Sequence, residues 1–140
     1  MATPATLLSQ IATAVEAEVS GIARLGCDYR DDLEFIPVGA TRYQLVGVAS
    51  GLDADSNTSR SVETIQLVIL HRLADPDDPR AFTEGVMQSD GEALMADSFW
   101  RQGNLAAVHE LREGPEQSLP ERELNLIKVT IGVQVSIVAT

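Results

Sequence analysis

Ile127-Lys-Val-Thr-Ile-Gly-Val-Gln-Val-Ser-Ile137 alternates without interruption: Ile127, Val129, Ile131, Val133, Val135 and Ile137 against Lys128, Thr130, Gly132, Gln134 and Ser136. A strand turns successive side chains to opposite faces, so this period of two predicts a strand with one apolar and one polar face. One-sided burial belongs to antiparallel or mixed sheets, whose helices gather on the covered face. The stretch is longer than the typical strand of about 5 to 6 residues. Part of it is therefore expected to reach past its own domain toward another subunit.

Working backward, Val62-Glu-Thr-Ile-Gln-Leu-Val-Ile-Leu-His-Arg-Leu73 is rich in β-formers, and its centre at Leu67 to Leu70 is apolar on both faces. That is the mark of a central strand. Leu33 to Ile36 and Tyr43 to Ala49 predict two earlier strands around a turn at Pro37, Gly39 and Ala40. Leu105 to Leu111 predicts another after Gly103-Asn104. Three polar segments predict loops: Cys27 to Asp32, Gly51 to Arg60 and Gly114 to Glu123. The middle one has almost nothing to bury, so it should project from the domain.

Two helices complete the pattern. Thr3-Pro4 is a start signal, and Leu8, Ile11, Val15, Val19 and Ile22 recur at helical steps toward Leu25, with Gly26 as terminator. Asp78-Pro79 is a second start, followed by Phe82, Val86, Met87, Leu94 and Met95, with Gly91 weakening the middle by about 1 kcal/mol. The expected fold is a single α+β domain spanning 1–140, an antiparallel or mixed β-sheet with two α-helices packed on one face.

Composition narrows the function classes. The chain has 140 residues, with 10 Lys plus Arg against 21 Asp plus Glu and a formal charge of −11, which disfavours an electrostatic grip on nucleic acid. Lys128 is the single lysine. A lone Cys27 without a basic, apolar leader suggests an intracellular origin, and no apolar run approaches the roughly 20 residues of a membrane span.

Motifs for catalysis or cofactors fail on inspection. Asp53, Asp55 and Asn57 match the first oxygen ligands of an EF-hand loop, but Thr58 stands at the turn glycine and Thr64 at the bidentate glutamate. A solvated loop is the better reading. Asn57-Thr58-Ser59 has the form of a glycosylation sequon without a secretory context. His71 and His109 lack metal-site spacing, and neither a nucleophile elbow nor a phosphate-cradling glycine loop is present. The carboxylates of Asp31-Asp32, Asp75-Asp77-Asp78 and Glu110-Glu113-Glu116 fall in connectors, where solvation suffices. Phe99-Trp100 reads as core before partner anchor. No catalytic residue, cofactor or metal ligand is expected.

The element order resembles the tail terminator proteins of long-tailed bacteriophages. It is carried by the N-terminal amphipathic helix (Thr3 to Leu25), the polar loop Gly51 to Arg60 running into Val62 to Leu73, the Asp-Pro-introduced helix and the closing alternating strand. The resemblance covers most of the chain in length, order and style. It implies a non-enzymatic virion protein, assembled in the host cytoplasm. Such a protein forms a homohexameric ring, caps the tail tube protein, stops its polymerisation and meets the head–neck connector.

DNA would pass through such a ring without specific binding, consistent with an acidic conduit. On this reading Asp53, Asp55 and Arg60 meet the tube, and Ile131, Val133, Val135 and Ile137 contribute to the subunit interface or the sheet beside it. The alternatives are a monomeric small-ligand- or protein-binding α+β module and another head–tail completion or connector protein.

Overall fold

The computed structural model describes residues 4–19, 21–25, 36–52, 60–73, 91–101, 105–119, 121–123 and 126–138. In chain order these form α1 (Pro4–Glu18), β1 (Ala23–Arg24), β2 (Thr41–Leu52), β3 (Arg60–Arg72), α2 (Gly91–Met95), α3 (Asp97–Trp100), β4 (Val108–Gln117), β5 (Glu121–Glu123) and β6 (Leu126–Val138). The sheet order is β1-β2-β3-β6-β4, with β5 also paired to β6. β1 runs parallel to β2 and every other pairing is antiparallel, so the sheet is mixed.

β6 lies inside the sheet, and its odd-numbered side chains from Ile127 to Ile137 are all buried. Ile131, Val133, Val135 and Ile137 share one core with Tyr43, Leu45, Ile65, Leu67 and Ile69 of β2 and β3. Leu7, Ile11 and Val15 of α1 and Leu94, Phe99 and Trp100 of α2 and α3 belong to the same core. On the opposite face Leu25, Ile36, Val68, Leu70 and Leu126 form a smaller cluster at one end.

The expected overreach of β6 does not occur. β3 matches it residue for residue, from Arg60 opposite Val138 to Arg72 opposite Leu126, without a register shift. The long strand is satisfied by an equally long neighbour.

Four boundaries differ from expectation. α1 stops at Glu18, not near Leu25: Val19 donates back to the Val15 carbonyl at 2.9 Å, and Gly21 then takes φ +83°. Val19, Ile22 and Leu25 are still buried, which is why an apolar rhythm outlives the helix. The segment 51–60 is not wholly loop, since Gly51 and Leu52 close β2 and Arg60 opens β3. Ile36 sits in a bend ahead of the turn in which Ala40 N–H donates to the Pro37 carbonyl at 3.0 Å. Gly39 takes φ +81° there, a backbone state that costs glycine little.

The fourth difference is β4. Leu105 to Ala107 form a turn, with Val108 N–H donating to the Leu105 carbonyl at 3.0 Å, and the strand continues through Gly114-Pro115 to Gln117. The acidic stretch expected as loop thus supplies the end of β4 and all of β5. Three register shifts against β6, at Val108/Glu110, Leu111/Glu113 and Glu113/Glu116, let an edge strand absorb glycine and proline.

Of the segment expected as the second helix, Gly91 onward lies within the described residues. α2 begins at Gly91, and extended Ala96 (φ −69°, ψ 134°) separates it from α3. Phe82, Val86 and Met87 lie outside the described residues, as do Leu33 to Phe35, Gly26 and Cys27.

Candidate functional site

The alternation that buries one face of β6 presents Thr130, Gly132 and Gln134 on the other, beside Thr64 and Gln66 of β3. β4 borders them with Glu113 and Glu116, and together these residues line an open groove of about 330 Å³. Its floor is cross-linked: Gln134 Nε2 donates to Thr64 Oγ1 at 3.3 Å. At its rim Ser118 N–H donates to the Thr130 carbonyl at 2.8 Å, while Ser118 Oγ accepts from Thr130 N–H at 3.1 Å. Amides and hydroxyls set on rigid strands, with two exposed carboxylates at the margin, suit recognition of a polar surface.

A second open groove, of about 460 Å³, runs along α1 past Gln10, Thr13, Ala14 and Ala17 to Phe99 and Ala106. Gln10 Oε1 accepts the Ala107 N–H at 2.8 Å, tying α1 to the turn before β4. Thr13 Oγ1 donates to the Ser9 carbonyl at 3.1 Å. The wall is mostly small side chains and one aromatic edge.

The residues singled out from sequence fall in different places. Asp53 and Asp55 lie outside the described residues, whereas Arg60 is the first residue of β3, at the end of the sheet where β2 finishes. Ile131, Val133, Val135 and Ile137 are at most 3% exposed, inside the protomer's own core. Here they belong to the sheet and its core.

His71 Nδ1 lies 2.8 Å from Thr41 Oγ1 across the β2–β3 pairing, a half-buried strand-to-strand hydrogen bond. Trp100 is fully buried and donates Nε1–H to the Leu94 carbonyl at 2.7 Å, with Phe99 edge-on at 5.0 Å. Among the described residues no group of three or more His, Cys, Asp or Glu is placed to hold a metal ion. No described helix is long and apolar enough to cross a membrane.

The polar half of the groove was readable in the spacing of Thr130, Gly132 and Gln134. Its border was not, because the bulges of β4 break the two-residue period that would have marked Glu113 and Glu116 as strand residues.

No family model matches this chain, and no curated protein does. It is similar to a solved structure with 14% sequence identity and a TM-score of 0.50, covering 97% of this chain and 92% of that one. The likeness is one of fold. The name of that neighbour states no activity.

Proposed function

We propose that this chain is a structural virion protein of the tail-terminator type, a subunit of a homohexameric ring that caps the tail tube, stops its polymerisation and meets the head–neck connector. The observation that supports the reading best is the division of the sheet. One face is filled by α1 and the α2–α3 segment, and its opposite face carries the half-buried polar residues Thr64, Gln66, Thr130 and Gln134. On this reading the α2–α3 segment is the end of a second helix lying beside α1 on one face.

Such a subunit needs a stiff wedge with separate mating surfaces. The paired strands β2 and β3 supply the stiffness. The net charge of −11 suits a ring through which DNA passes without sticking. Asp53, Asp55 and Arg60 remain the residues proposed to meet the tube.

The deciding experiment images the purified protein mixed with tail tubes by negative stain. A ring seated on one tube end is expected, and replacing residues 53–59 by Asn-Gly, which with Arg60 leaves a three-residue connection between the paired Leu52 and Ser61, should leave the fold and the ring intact while abolishing capping. A protein that stays a single protomer beside uncapped tubes overturns the proposal and favours a monomeric binding module.

A further inference from the structure

The groove over β3, β6 and β4 is built in rows. Across the three strands Thr64 stands opposite Gln134 and Gln134 opposite Glu113, while Gln66 stands opposite Gly132 and Gly132 opposite Glu116. Each row runs from an uncharged polar side chain on β3 to a carboxylate on β4.

Residues three apart on a regular strand face opposite sides of the sheet. Glu113 and Glu116 escape this because the register shifts between them, setting three steps of β4 against the two steps of β6 from Gln134 to Gly132, and both line the same groove. Re-aiming a side chain is a known use of a bulge. The two carboxylates are thus spaced like alternate residues of β6, about 7 Å apart at roughly 3.3 Å per residue.

Neither carboxylate is neutralised. Glu110, opposite Ser136 in the next row, lies 3.5 Å from the Arg112 guanidinium, whereas Glu113 and Glu116 are exposed and have no ion pair among the described residues. Lys128 stands beyond Thr130, opposite Glu121, and does not line the groove. The floor also has unused hydrogen-bonding capacity: the half-buried Gln66 side chain makes no hydrogen bond among the described residues, and Gln134 engages Thr64 through Nε2 alone. Gly132 keeps the middle open, since a Cβ built there meets only the Glu116 carbonyl oxygen, at 4.0 Å.

Charge and spacing select the occupant. An extended peptide projects alternate side chains to one side at the same interval of about 7 Å, so two cations one residue apart in such a peptide meet both glutamates at once. A guanidinium suits a carboxylate better than an ammonium does, because it donates two parallel hydrogen bonds. Polyanions are repelled by a chain of net charge −11.

We propose that this groove binds an extended segment of a partner protein bearing arginine at two alternate positions, one guanidinium on Glu113 and the other on Glu116, with its backbone crossing Gly132 beside the Gln66 and Gln134 amides. The inference concerns the chemistry of a partner and does not rest on the terminator reading.

The test titrates the full chain with a blocked oligoserine peptide carrying two arginines one residue apart, followed by amide NMR at low salt. The side-chain amides of Gln66 and Gln134 and the backbone amides of Gly114 and Gly132 should shift together. Glu113→Gln with Glu116→Gln should weaken binding about tenfold, whereas Glu16→Gln with Glu18→Gln, the same change of charge on the exposed side of α1, should alter it less than about twofold. Setting the two arginines side by side sends them to opposite faces of the peptide and should weaken binding about threefold, through loss of one pair.

Equal losses in the two double variants, or equal affinity for the two peptides, reduce the interaction to net charge and overturn the inference. Spermidine binding at these residues as tightly as the peptide overturns it in favour of a small cation. Unmoved Gln66 and Gln134 amides at millimolar peptide reject the groove, a readout on the wild-type protein that needs no variant. A protein that caps tubes without these shifts keeps the ring and loses the groove, and one that shifts but never caps does the reverse.

Discussion

The buried Tyr43 hydroxyl on β2 donates to the Ala12 carbonyl of α1 at 3.2 Å, so one hydrogen bond joins the helix to the sheet inside the apolar layer between them. The ring of Tyr43 is fully buried and packs in the main core, and its polar tip finds its partner on the helix backbone. Tyr43→Phe keeps the ring and removes the donor. It should cost about 1 kcal/mol in equilibrium denaturation, through a lower midpoint with an unchanged slope.

Trp100 is the single tryptophan, and it reports on the α2–α3 segment. Its emission should be blue-shifted in the native protein and move to the red in one step on denaturation. Trp100→Phe leaves the Leu94 carbonyl without its 2.7 Å donor and a smaller ring beside Phe99. A loss of about 1 to 3 kcal/mol is expected in urea titration.

Val133 is 3% exposed at the centre of β6, opposite Ile65. Val133→Asp places a carboxylate where nothing can pair it. The expected loss exceeds about 4 kcal/mol, seen as absent near-UV signal and rapid proteolysis. A folded Val133→Asp protein of normal stability would contradict the burial of this strand face.

The bulged edge strand β4 gives a prediction of opposite sign. Glu113→Val with Pro115→Val and Glu116→Val restores strand propensity and removes charge from β4. Aggregation, followed by light scattering at constant concentration, should accelerate although each change alone touches little of the core.

The sheet was legible in the sequence where burial is one-sided and regular. The alternation from Ile127 to Ile137 and the doubly apolar Leu67 to Leu70 both translate directly into strand burial. β4 escaped because Gly114, Pro115 and three glutamates look like loop residues. An edge strand that pairs on one side only tolerates them at its bulges. The end of α1 escaped for another reason. Val19, Ile22 and Leu25 keep the helical spacing, yet Gly21 redirects the chain so that Ala23 and Arg24 join β2. Periodicity reports which side chains are buried, not which backbone carries them. For the candidate site, the polar face was readable one strand at a time, whereas the adjacency of Thr64 and Gln134 depends on a β3–β6 register that no local pattern contains.

The unbroken register between β3 and β6 also governs how the molecule is made. These strands are far apart in sequence, so their pairing demands closure of a long loop before it gives any return. During synthesis the flank of β3 stays bare until β6 has left the ribosome, and Ile65, Leu67 and Ile69 lack their facing row for as long. The nascent chain should then need protection from chaperones, and truncation within β6 should yield insoluble protein, not a smaller folded one.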